Sequence, residues 1–178
     1  MKIKKEIIER AKKIKVIATD IDGVLTRGEL IVLESGEEIK IWDIKDRFAY
    51  TLIRRFTPDI KLAWITGRKS NQVEIRAKEL KIEYLYQKCS DKIVSFNEIL
   101  KDGFKNTEIA YIGDDWLDIP LLKRAGLSIC PKNAPEEIKK FVHYVSKYDG
   151  GYGVFREIVE IILKARGIYE KAFGFYNK

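Results

Sequence analysis

The sequence predicts an α/β domain: a doubly wound, Rossmann-like parallel sheet flanked by helices, with a small β-hairpin insertion and no cap domain. Two observations carry this. Short, continuously apolar, β-branched runs alternate with longer amphipathic stretches along the 178 residues. Three of those runs end in Asp20-Ile21-Asp22-Gly23, Thr66-Gly67-Arg68 and Gly113-Asp114-Asp115. In open sheets of this class, ligands bind beyond the carboxyl ends of the strands.

Taken in order, Ile3, Ile7, Ile8, Ala11 and Ile14 recur at helical spacing, so residues 2–13 read as a helix. Lys15–Thr19 is a buried strand. Glu29–Leu33 and Glu38–Asp43, around Ser35-Gly36, read as the hairpin (about 29–43). A helix over 45–56 follows, then strand Leu62–Ile65 and a helix over 69–80. Tyr84–Tyr86 is a strand, 91–101 a helix and Ile109–Ile112 a strand. A helix over 117–124, strand Leu127–Cys130, a helix near 135–140, strand Val142–Val145 and a helix over 154–165 close the domain. Residues 1–168 form one domain, and 169–178 form a tail.

Composition excludes several classes. Apolar content of 46% excludes a disordered chain, and no apolar run approaches the ~18 residues of a membrane span. The net charge of +7 divides into +5 over residues 1–15, −1 over 16–163 and +3 over 164–178. The body is neutral, which argues against a nucleic-acid surface. Cys89 and Cys130 show no metal or disulfide spacing, His143 is the one histidine, and the start lacks an apolar signal core. The expectation is a cytoplasmic protein with free thiols.

Asp20 and Asp22 end one strand; Asp114, Asp115 and Asp118 follow another. Carboxylates gathered in one crevice repel by ~1 kcal/mol per pair in water and several-fold more near an interior. A hard divalent cation with oxygen ligands, Mg²⁺ in a phosphate site, is the natural compensation. Gly23 and Gly113 let backbone approach it closely.

These motifs resemble the haloacid-dehalogenase-like phosphohydrolases. DxDGxL is met by Asp20–Leu25, the strand-end Ser/Thr by Thr66, the lysine motif by Lys92 and GDDxxD by Gly113–Asp118, all in order. The resemblance implies that Asp20 is the nucleophile and Asp22 the general acid and base. It implies that Thr66 and Lys92 bind the phosphoryl group. Asp20, the Asp22 carbonyl and Asp114 would hold Mg²⁺, while Asp115 or Asp118 orients the metal site and Lys92.

Neither interval between motifs has room for a cap. The apolar hairpin is an aggregation hazard unless paired between subunits, so a homo-oligomer is expected. More closely, the chain is similar to 3-deoxy-D-manno-octulosonate 8-phosphate (KDO 8-phosphate) phosphatases. The likeness rests on Asp20–Thr26, Ile65–Ser70, Val73 with Arg76, Tyr86-Gln87, Ala110–Asp118 and Gly150–Glu157. It implies a Mg²⁺-dependent homotetramer associating through the hairpins. The tail, with Phe173, Phe175 and Tyr176, would then be a lid on its own or a neighbouring site. Lys45–Ala49 keeps Asp46 as a substrate contact but loses the two glycines usual there, and Lys88 replaces another.

Relatives acting on nine-carbon ulosonate 9-phosphates carry Glu after the Thr-Gly pair. Arg68 here can fork onto a sugar-acid carboxylate, and Arg76 is a second candidate. The favoured substrate is therefore KDO 8-phosphate; the nine-carbon analogue and a broader sugar phosphatase stay open. A signalling receiver would place its acidic pair first and its acceptor later. A catalytically dead scaffold would not keep all four core motifs.

Overall fold

The computed structural model describes residues 3–177. Lys2, the expected first residue of the opening helix, and Lys178, the last of the tail, lie outside them.

The strands are β1 (Val16–Thr19), β2 (Ile31–Val32), β3 (Glu38–Ile39), β4 (Lys61–Ile65), β5 (Tyr84–Tyr86), β6 (Ile109–Ile112), β7 (Leu127–Cys130) and β8 (Tyr144–Val145). The helices are α1 (Lys5–Ala11), α2 (Ile44–Phe56), α3 (Asn71–Leu80), α4 (Lys92–Lys101), α5 (Ile119–Leu122), α6 (Glu136–Lys139), α7 (Val154–Ala165) and α8 (Tyr169–Tyr176). Six strands form one parallel sheet in the order β5-β4-β1-β6-β7-β8, and β2 and β3 pair antiparallel apart from it.

The chain winds outward from β1 through β4 to β5, then returns and winds the other way through β6, β7 and β8. Apolar residues of α1, α2, α3 and α7 cover one face of the sheet. Those of α4, α5 and α6 cover the other. Alternate strand residues feed the two cores: Leu62 and Trp64 the first, Ala63 and Ile65 the second. The reversal at β1 and β6 opens a crevice at their carboxyl ends.

Four expectations change. The opening helix covers Lys5–Ala11 only. The hairpin is far shorter than 29–43: the Lys40 N–H donates to Gln72 Oε1 at 3.0 Å, outside the ladder, and Trp42 stacks on Trp64 with ring centroids 5.3 Å apart. Residues 116–122 form a 3₁₀ turn (Trp116–Asp118) and a short α5, since the Asp118 carboxylate accepts from the backbone N–H groups of Asp114 and Asp115. Finally, the tail forms α8, which seats on its own α2. Gly167 turns the chain at φ 70°, Ala172 is buried, and the rings of Phe175 and Tyr176 meet Phe56 and Phe48 edge-on.

The Gly150–Glu157 segment braces the loop after β1. A Cβ on Gly150 would lie 1.7 Å from the Gly23 carbonyl oxygen, and the Gly151 N–H donates to the Val24 carbonyl at 2.9 Å. Glu157 accepts from Tyr144 Oη and Ser146 Oγ, both at 2.7 Å, which ties α7 to the end of β8. Gly150→Ala must displace backbone, at a cost of ~1–3 kcal/mol. The expected result in thermal melts is a Tm lower by several degrees and reduced turnover. An unchanged Tm would show that the two loops are not in contact.

Candidate active site

Lys92 lies at the first turn of α4, whose N-cap Asp91 accepts from the Ile93 N–H at 3.0 Å. Its side chain runs inward and is 3% exposed. Nζ lies 3.0 Å from Asp20 Oδ2 and 2.6 Å from Asp118 Oδ1. Asp118 is fully saturated: Oδ1 also accepts from Tyr111 Oη at 2.6 Å, and Oδ2 accepts from the Asp114 and Asp115 N–H groups at 2.9 and 3.1 Å. Gly113 makes room, because a Cβ there would meet the Asp118 side chain at 2.5 Å.

Asp20 follows β1 directly, and its N–H continues the ladder to the Ile112 carbonyl at 2.9 Å. Its Oδ1 and Asp114 Oδ1 are buried without a hydrogen-bond partner. Oxygens of Asp20, Asp114 and Asp118 come within 4.8 Å of one another. Gly23, at φ 93°, passes so close that a Cβ would lie 2.1 Å from Asp114 Oδ2.

Two buried carboxylates and the half-buried Asp114 therefore face one ammonium. Burial pushes Asp20 up to about 7 against the pull of Lys92, and burial with the charges of Asp20 and Asp118 pushes Asp114 up to about 8. Burial opposes the Lys92 charge as well, but Asp20 and Asp118 outweigh it and raise its pKa. The missing two positive charges equal one divalent cation. Two unpartnered, buried carboxylate oxygens are the hard donors such an ion takes, so the residues fit Mg²⁺. Asp118, with both oxygens committed, organises the site and is not a free donor.

Thr66 follows β4, buried, and its Oγ1 accepts from the Arg68 N–H at 3.3 Å. Gly67 faces the Cys89 carbonyl and Leu117. Arg68 is 48% exposed on its side chain and pairs with Glu38 of β3. Asp22 pairs through Oδ1 with Lys40, while its Oδ2 is buried and unpartnered. Asp115 caps the following turn, accepting from the Trp116 N–H at 2.6 Å.

Two expected substrate contacts, Asp46 and Arg76, line one small cavity with Leu25 and Trp42 and have partners of their own. Asp46 is buried between α2 and α7, where Oδ1 accepts from the Arg156 N–H at 2.7 Å; burial pushes its carboxyl up to about 7. Arg76 pairs with Glu79 at 2.5 Å and lies against Trp42. Lys40, Glu38 and Tyr111 are the residues sequence reasoning missed. Their signals were faint: two charges alternating with Ile39 and Ile41, and one hydroxyl inside an apolar strand.

Folded Asp20, Asp46 and Asp114 hold protons that the unfolded chain releases near pH 4. The metal-free fold thus binds more protons between about pH 4 and 8, so its stability is full below that window and falls as pH rises through it. A cation on Asp20 and Asp114 displaces those protons. Melts in EDTA should show Tm falling from pH 5 to 8, and added MgCl₂ should raise Tm more at pH 8 than at pH 5. A Mg²⁺ increment independent of pH would contradict the charge deficit.

No described helix is long and apolar enough to cross a membrane. The family model for haloacid dehalogenase-like hydrolases matches residues 82–158. The chain is 36% identical over 170 residues to the 3-deoxy-D-manno-octulosonate 8-phosphate phosphatase of Yersinia pestis, covering 95% of this chain and 90% of the relative. It is 35% identical to that of Escherichia coli K12, covering 95% and 89%. The crystal structure of the Moraxella catarrhalis phosphatase, in complex with a magnesium ion, a phosphate ion and KDO, superposes with a TM-score of 0.92 at 35% identity. That match covers 96% of this chain and 98% of the other. The chain belongs to the haloacid dehalogenase-like hydrolases, in the family of these 3-deoxy-D-manno-octulosonate 8-phosphate phosphatases.

Proposed function

We propose that this chain is a Mg²⁺-dependent phosphoric monoester hydrolase that converts KDO 8-phosphate to KDO and phosphate, a step in lipopolysaccharide precursor synthesis. The observation that carries it is Asp20 Oδ1, a buried carboxylate oxygen with no partner, beside Lys92 in a chain with these relatives.

The Asp20 carboxylate attacks phosphorus through one oxygen, forming an acyl phosphate as the bridging ester bond breaks. The leaving sugar oxygen takes a proton from Asp22 Oδ2. Asp22 then removes a proton from water, which attacks phosphorus and releases phosphate while restoring the Asp20 carboxylate. Lys92 neutralises the phosphoryl oxygens, Thr66 Oγ1 donates to one of them, and Gly67 admits the group without a side chain. Asp118 keeps Lys92 and the Asp114 backbone in place. Asp20, Asp114 and the Asp22 carbonyl would hold Mg²⁺, which when bound would supply charge neutralisation for an anionic nucleophile meeting an anionic substrate.

Arg68 is the carboxylate reader: half exposed at the mouth, it can exchange Glu38 for the sugar acid. The exposed Leu30, Ile31, Val32 and Leu33 on the hairpin support a homotetramer joined there, and two buried free thiols support a cytoplasmic setting.

The deciding assay is phosphate release from KDO 8-phosphate with Mg²⁺ and with EDTA. Turnover is expected only with metal, and a clear preference for a nine-carbon ulosonate 9-phosphate would replace the substrate assignment. Asp20→Asn should cut turnover by ~10³ or more with Tm preserved. Near-full activity in that variant would remove Asp20 as nucleophile. Arg68→Glu should raise KM for KDO 8-phosphate by roughly tenfold or more, since charge-assisted bonds are worth ~1.5–3 kcal/mol, and leave p-nitrophenyl phosphate hydrolysis alone.

A further inference from the structure

Along β3 and the two residues after it, charges turn inward and isoleucines outward. Ile39 and Ile41 are 37% and 48% exposed, whereas the Lys40 side chain is 3% exposed. This reverses the usual pattern, in which the apolar face of a two-stranded ribbon is the buried one. A lysine is almost never fully buried unless paired. Lys40 spends its charge on Asp22 Oδ1. Its backbone N–H donates to Gln72 Oε1 at the start of α3, at 3.0 Å, so the lysine is anchored at both ends. With Oδ1 occupied, only Asp22 Oδ2 remains, buried and free.

We infer that Lys40 is a positioning residue that immobilises Asp22 and selects Oδ2 as the oxygen that exchanges protons with the leaving group and with water. The hairpin is then a working wall of its own chain's active site, whatever its outer face binds. This rests on the role of Asp22 in the reading above, and the sugar identity does not enter it.

The test exploits leaving-group chemistry. An alkyl phosphate needs a proton on its departing oxygen, while p-nitrophenolate leaves without one. Four variants are compared: Lys40→Met, Lys40→Arg, Asp22→Asn and the double Lys40→Met/Asp22→Asn. The alkyl arm uses KDO 8-phosphate, or any alkyl phosphate the wild type hydrolyses should the sugar-acid reading fail.

General acid–base groups are worth ~10²–10⁴ in rate, so Lys40→Met should lose roughly tenfold or more in kcat on the alkyl substrate with KM little changed. The p-nitrophenolate burst, which reports only the attack by Asp20, should stay close to wild type. Lys40→Arg should recover most of the loss, and Lys40→Met should add nothing in the Asp22→Asn background. Equal losses in alkyl turnover and in the burst, no loss at all, or a loss that adds to Asp22→Asn would each overturn the inference. If Lys40→Met does not fold, Gln72→Ala loosens the same lysine and leaves its charge. A smaller loss confined to the alkyl arm supports the inference, and equal loss in both arms overturns it.

Discussion

The buried ion pair that Lys92 makes with Asp20 and Asp118 is the constraint on which the rest of this structure depends. One ammonium held between two carboxylates, all three nearly removed from solvent, ties α4 to the ends of β1 and β6. Removing one partner from such a network leaves an uncompensated buried charge, typically costing ~3–5 kcal/mol. Tyr111 and two backbone amides complete the saturation of Asp118, so the organising carboxylate has no freedom left. The freedom is left to Asp20 and Asp114, each with an oxygen aimed at nothing in the protein. Stability and reactivity are thus divided among chemically identical groups by how many donors each receives.

Around that centre the backbone closes tightly. Gly23 approaches Asp114, Gly113 approaches Asp118, and Gly150 presses on Gly23. The late segment is therefore mechanically part of the site through its backbone. Glu157 and Asp46 do comparable work one layer out, latching α7 to the strand-end loops and to α2. Asp46, placed by family likeness among substrate contacts, also accepts from the Arg156 N–H at the amino end of α7, while burial raises its pKa.

The net charge of +7 has little to do with the site. The reaction centre is locally acidic, and its own buried lysines, Lys92 and Lys40, answer individual carboxylates. The hairpin unites two tasks: its inner charges meet Arg68 and Asp22, and its outer isoleucines stay exposed.

Several features were legible in the residues alone. The six sheet strands emerged from apolar runs such as IAYI and LSIC, because a strand buried on both faces must be apolar throughout. Asp20, Thr66 and Asp114 emerged as candidates because they stand where those runs stop, and Lys92 through the family resemblance. Other features needed the third dimension. Whether Trp42 extends a strand or stacks on Trp64 depends on a partner 22 residues away. Whether the aromatic tail forms α8 depends on the groove beside α2. That Lys40 meets Asp22, or that Arg76 turns to Glu79, cannot be read from spacing, since a long charged side chain reaches whatever tertiary packing brings within range. Local sequence determined the periodicities and the strand-end chemistry. The tertiary structure decided which oxygens would be saturated and which left free.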